Sequence, residues 1–213
     1  GSQASARSPD VTAAPCLLNV GGGSKKTAIP PYYDGFEHLL LDIDPSGDPD
    51  IVCDARDLAT LDPGQFDAIY CSHNLEHYYP HDVPRVLRGF LHVLKPDGFA
   101  EIRVPDIDAL LKDYVAQGRD IDDVIYTSGR GPVRVRDVIY GFGPEIEQSG
   151  QDFYAHKTGV SPKSVSRALQ AAGFTQLVHR KGRHLEILII AFRQMPTPGQ
   201  AALLSLKLAG TAT

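Results

Sequence analysis

Asp42 closes the apolar run Leu39-Leu40-Leu41, and an earlier run, Leu17-Leu18-Asn19-Val20, empties into the turn Gly21-Gly22-Gly23-Ser24. A carboxylate roughly 20 residues past such a turn accepts hydrogen bonds from both hydroxyls of a ribose. The glycines let main chain approach a ligand where a Cβ would collide. Together these residues describe the nucleoside pocket of a parallel α/β sheet. Asp44, two residues on, is an alternative ligand. Further along, His73-Asn74-Leu75-Glu76-His77 gathers two imidazoles and a carboxylate. A histidine there can take a proton near neutral pH, and His77 is the candidate base.

The elements that must position these groups follow from hydrophobic pattern. Continuous apolar runs predict strands buried on both faces at Cys16 to Val20, His38 to Asp42, Asp50 to Cys53, Phe66 to Ser72 and Phe99 to Val104. Asp82 can cap a helix carrying Val83, Val86, Leu87, Phe90, Leu91 and Leu94, which Lys95-Pro96-Asp97-Gly98 stops. Asp106 opens another helix, through Leu110, Leu111 and Tyr114. Strand, helix, strand in this rhythm gives right-handed crossovers and a doubly wound sheet. Residues 118 to 156, rich in glycine and charge to Gly150, break the pattern and read as an insertion over the ligand crevice that selects the substrate. Ser161, Pro162 and Gly173 then bracket a helix, and Gln176 to His179 with Leu185 to Phe192 form a closing hairpin turned at Lys181-Gly182-Arg183.

The chain divides into a lead-in (1–14), a main domain (15–194) and a tail (195–213) with a short helix expected at Ala201 to Leu208. Gly1-Ser2 looks like a cleavage scar, and Met195 is the lone methionine. A chain of 213 residues, 42% hydrophobic, buries roughly 70% of its unfolded surface without staples. The three cysteines form neither a disulfide framework nor a zinc knuckle, which fits a reducing cytoplasm. A net charge of −5 argues against a general nucleic-acid binder, and no apolar run is long enough to span a membrane. Oligomeric state is not legible.

In this order the segments resemble the class I S-adenosylmethionine-dependent methyltransferases, from about Cys16 to Phe192. Leu17 to Gly23 is similar to the family's first motif, Leu39 to Asp44 to its second, and Asp50 to Leu58 to its adenine segment. Phe66 to His77 resembles the strand and turn beside the transferred methyl, and Leu94 to Phe99 the turn into strand five. Tyr154 to Ser161 is similar to a bacterial branch acting on small molecules or glycans. The resemblance implies an α/β, Rossmann-like, doubly wound, seven-stranded, mostly parallel sheet with an antiparallel last strand and an inserted cap. It implies S-adenosylmethionine as cofactor, S-adenosylhomocysteine as product, and an oxygen or nitrogen of a small molecule, sugar or heterocycle as acceptor.

On that resemblance Asn19, Gly21, Gly22 and Gly23 border the cofactor, Asp42 holds the ribose, Ile43 packs on the adenine, and Asp54 and the Ala55 amide meet its edge. The alternative for Asp54 is an Asx-turn residue. Main-chain groups of Cys71, Ser72 and His73 take the methionine part. Tyr154 and His156 line the acceptor side or simply fix a loop, and Tyr32 and Tyr33 form a lid or a surface turn. Asn19 replaces the family's usual acidic residue, and Lys25 stands where a third glycine is common.

Other readings compete. The spacing His73-x-x-Glu76-His77 is that of inverted zinc peptidases, in which two imidazoles one helical turn apart share a zinc and the glutamate activates water. Pro80 and Pro84 interrupt a helix that would also carry His81, and no metal is expected. P-loop and dinucleotide fingerprints each lack a final glycine. A non-catalytic protein on the same fold, binding cofactor or partner, is the remaining alternative.

Overall fold

The computed structural model describes residues 13–207, so most of the lead-in and the end of the expected tail helix lie outside it. Five strands run parallel: β1 (Cys16–Val20), β2 (Glu37–Asp42), β3 (Ile51–Val52), β4 (Phe66–Ser72) and β5 (Leu94–Pro105). The hairpin of β8 (Gln176–Lys181) and β9 (Glu186–Phe192) completes a seven-stranded sheet in the order β3-β2-β1-β4-β5-β9-β8, with β9 antiparallel to both neighbours. Strand order reverses between β1 and β4, and an open parallel sheet receives its ligand at the carboxyl ends of such strands.

On one face α1 (Val83–Val93) and α5 (Pro162–Ala172) bury Val86, Leu87, Phe90, Val165 and Leu169 against Leu18, Val20, Ile69 and Ile102. Ser161 caps α5 by accepting from the Ser164 amide, and Gly173 ends it in the left-handed region, as the sequence predicts. Asp82 departs from expectation. It occupies the position before α1 but makes no capping bond; its carboxylate lies 3.5 Å from the Arg56 guanidinium instead.

The opposite face is covered by side chains from a loop and the tail. Tyr33 and Leu204 pack on Leu17, Tyr70, Phe99 and Phe192, and a short α6 (Pro198–Leu203), capped by Thr197, delivers Leu204. The tail helix thus begins three residues before the expected start.

After α2 (Ile107–Gln117), which Asp106 caps, the inserted segment is structured. It contains the hairpin β6 (Val124–Ser128) and β7 (Gly131–Arg134), then α3 (Val135–Tyr140) and α4 (Gly143–Ser149). A satellite core of Leu110, Val133, Val135 and Val138 holds it to α2. Among the described residues no helix is long and apolar enough to cross a membrane.

Candidate active site

β1 ends where Gly21 takes a φ of +71°, which a side chain rarely adopts. A Cβ on Gly21 would lie 2.3 Å from Asn74 Oδ1, and one on Gly22 would lie 2.4 Å from the Asn19 amide, so both glycines are demanded by space. Gly47 joins them, since its Cβ would meet the Gly23 carbonyl oxygen at 1.7 Å. Sequence reasoning passed over Gly47 and Asn74 because each matters only through a contact distant in the chain.

Asp42 ends β2 with its side chain buried beside this turn. Its Oδ2 accepts from the Gly23 amide at 2.9 Å and its Oδ1 from the Asp44 amide at 2.9 Å. A carboxylate has about four acceptor sites, so two remain for a ribose diol. Under the turn, Asn19 Nδ2 lies 3.1 Å from His38 Nε2. Burial pushes the His38 pKa down, so the neutral ring accepts from that amide and leaves Asn19 Oδ1 buried without a partner. Ile43 is 38% exposed at the strand end, an apolar surface for a ring. The spare carboxylate lone pairs, the orphaned amide oxygen and the glycine approach fit a nucleoside with a charged amino-acid arm. Asp54 follows the Asx reading: it accepts from the Arg56 amide and is forked by the Arg56 guanidinium, which outweighs burial and holds its carboxyl below the usual range. Ala55 is buried next to it.

β4 delivers Cys71, Ser72 and His73 to the same edge, with Cys71 fully buried and His73 at a φ of +51°. His73 Nε2 lies 2.6 Å from Glu186 and Nδ1 lies 3.6 Å from Glu76. Partial desolvation would lower its pKa, but the two carboxylates prevail and lift it to about 10. Leu75–His77 then forms a single 3-10 turn. That turn does not put His73 and His77 on one helix face, so the zinc-peptidase arrangement is absent.

The insertion brings its own groups to this edge. His156 and His77 meet edge to face with ring centroids 4.9 Å apart. Nδ1 of His156 lies 2.9 Å from the Val138 carbonyl and Nδ1 of His77 lies 3.2 Å from the Ala155 carbonyl. Burial lowers the His156 pKa and keeps that ring neutral. Glu76, 3% exposed, has both carboxylate oxygens without a hydrogen-bond partner, and His156 Nε2 stands 3.9 Å from Oε1. One ligand atom from each of Glu76, His77 and His156 lies within 4.8 Å of the others. Tyr154 reaches across and donates to Asp44 Oδ2 at 2.6 Å, which depresses the Asp44 pKa. At the other side Tyr126 stacks on His184 at 4.1 Å. The insertion therefore spans the carboxyl edge of the sheet from β2 to β9.

Tyr32 and Tyr33 do not join this group. Tyr33 is 1% exposed, stacks on Phe99, and donates to Glu101 Oε1 at 3.0 Å; Tyr32 donates to the same oxygen. Their apolar rings are drawn onto the second face of the sheet, and their hydroxyls are held by a carboxylate the sequence reading did not single out.

A family model described as a methyltransferase domain matches residues 6–179. No curated protein matches the sequence. Among solved structures, a SAM-dependent methyltransferase from Archaeoglobus fulgidus is 16% identical, with 86% of this chain and 88% of that one covered at a TM-score of 0.54. A protein from Pyrococcus horikoshii OT3 is 18% identical, with coverage of 86% and 85% and a TM-score of 0.56. A SAM-dependent methyltransferase from Methanosarcina mazei is 16% identical, with coverage of 84% and 92% and a TM-score of 0.52. With its family match over most of its length and its antiparallel last strand in a seven-stranded sheet, the chain belongs to the class I S-adenosylmethionine-dependent methyltransferases.

Proposed function

We propose that the protein transfers a methyl group from S-adenosylmethionine to an oxygen or nitrogen of a small molecule, sugar or heterocycle. The observation that carries this reading is the meeting, on one sheet edge, of a buried carboxylate with spare acceptor capacity and two imidazoles brought together beneath an insertion. S-adenosylmethionine supplies an electrophilic methyl on a sulfonium. Asp42 holds the ribose hydroxyls, Asn19 Oδ1 accepts from the amino group, and the turn Gly21 to Gly23 admits the main chain to close range. Ile43 offers its face to the adenine, with the Ala55 amide and the Asp54 region at the ring's edge. Main-chain groups of Cys71, Ser72 and His73 orient the amino-acid arm.

Methyl transfer is an in-line displacement, so alignment and exclusion of water do most of the work. The insertion closes over the edge through Tyr154 and His156. His77, whose Nδ1–H is held by the Ala155 carbonyl, keeps a lone pair on Nε2 for the proton that an attacking hydroxyl or N–H gives up.

Calorimetry with S-adenosylmethionine and S-adenosylhomocysteine tests the reading. Both are expected to bind, and Asp42→Ala removes two charge-assisted hydrogen bonds worth about 3 kcal/mol together, on the order of a hundredfold in affinity. Absence of binding by the unaltered protein would refute it.

A further inference from the structure

Glu76 poses a problem that the proposed chemistry does not solve. Its carboxylate is withdrawn from water, and neither oxygen has a donor within hydrogen-bond distance. A buried carboxylate whose oxygens lack hydrogen-bond donors is costly even with a counter-charge nearby. The protonated His73 ring offsets part of the Glu76 charge, but no imidazole donates a hydrogen bond to it. His73 is drawn to Glu186 at 2.6 Å and stays 3.6 Å from Glu76, while His156 stays 3.9 Å away. His77 and His156 each direct Nδ1 at a backbone carbonyl, which places the proton on that nitrogen and leaves the Nε2 lone pair free. One potential ligand atom from each of Glu76, His77 and His156 thus lies within 4.8 Å of the others.

We propose that Glu76, His77 and His156 form a binding site for a divalent cation of the zinc, manganese or cobalt class, its coordination completed by water or by an oxygen of the methyl acceptor. Two imidazoles and one carboxylate suit cations of that class. A carbonyl holding the second ring nitrogen is the usual outer support of a metal-binding histidine. The separations within 4.8 Å close to bonding distance when each ligand moves on the order of half an ångström. The backbone is already fixed, because the Lys157 and Thr158 amides donate to the Glu76 carbonyl at 2.7 and 3.2 Å and tie the His156 segment to it. A pocket of about 10 Å³ beside Glu76 and His156, bounded by Val138 and Thr158, has room for one water molecule.

The site deepens the methyl-transfer reading, and its catalytic meaning rests on that reading. A cation at this place would bind the acceptor oxygen and promote loss of its proton, so the His77 lone pair would serve as ligand in place of base. Neither the sequence spacing nor the expectation of no metal anticipated it, because His156 joins only through the fold.

The test is titration of the chelator-treated full chain with zinc, manganese and cobalt chlorides, followed by calorimetry and, for cobalt, by visible absorption. One ion per chain is expected, with affinity reduced a hundredfold or more in Glu76→Gln and in His156→Ala and unchanged in His179→Ala, which alters a histidine on β8. S-adenosylhomocysteine binding, measured on the same samples, reports whether each variant is folded. Failure of the unaltered chain to bind any of the three ions, or binding that survives both substitutions, overturns the site. An unaltered chain that binds S-adenosylhomocysteine but no ion leaves methyl transfer standing with His77 as base. Ion binding without S-adenosylhomocysteine binding removes the methyl-transfer reading and keeps the site.

Discussion

Glu101 lies fully buried in the middle of β5, and its charge is tolerated because three donors converge on it. Tyr32 and Tyr33 donate to Oε1, and Arg103 Nε donates to Oε2 at 2.9 Å. Arg103 in turn lies 3.5 Å from Glu186, which holds His73. A chain of alternating charge thus runs from the second face of the sheet to the active edge. Replacing Glu101 with leucine takes away one of Arg103's two carboxylates and leaves two hydroxyls without their acceptor, and the expected loss is about 3 kcal/mol of unfolding free energy in urea. Glu101→Gln keeps an acceptor and is expected to lose less.

Among the elements, those specified by neighbours in sequence were legible in advance. β1 and β4 follow from unbroken apolar runs, and α5 from Ser161, Pro162 and Gly173, since caps and strand ends are local devices. The pairing of Glu76 with His156 and of Glu101 with two tyrosines was not, because contacts between remote segments leave no periodic trace. Nor was the internal order of the insertion, whose short helices α3 and α4 are too brief to show a strong apolar stripe. Tyr154 fixes this element to Asp44, and Tyr154→Phe is expected to speed proteolysis within residues 143–152 while shifting global stability by about 0.5 kcal/mol or less. The Tyr154 hydroxyl, and then the Ser46 amide, hold the Asp44 carboxyl below the usual range. The stabilisation is therefore complete above the unfolded carboxylate value near ~3.9 and fades as pH falls through the lower folded value. Protease protection of the unaltered chain is expected to drop in acid, and the phenylalanine variant to show a weaker pH dependence.

For the whole molecule, the tail is part of the sheet's second layer. Leu204 is 1% exposed against Tyr33 and Phe99, and Gln200 with Thr197 shapes the turn that brings it there. Leu204→Ala is expected to cost about 2 kcal/mol or more, read as a lower urea midpoint with an unchanged slope. The apolar runs predict the parallel sheet, but the covering of its second face by a loop tyrosine and a tail leucine emerges only in the folded chain.

The insertion is moored on both banks, by Tyr154 at one side and by Tyr126 against His184 at the other. Between the two moorings the Ala155 carbonyl meets His77, so the span is held along its length. The tyrosine–aspartate tie is a single hydrogen bond, whereas the opposite end is a stacked ring pair beside a satellite core. The β2 bank is therefore the mooring with fewer contacts to break.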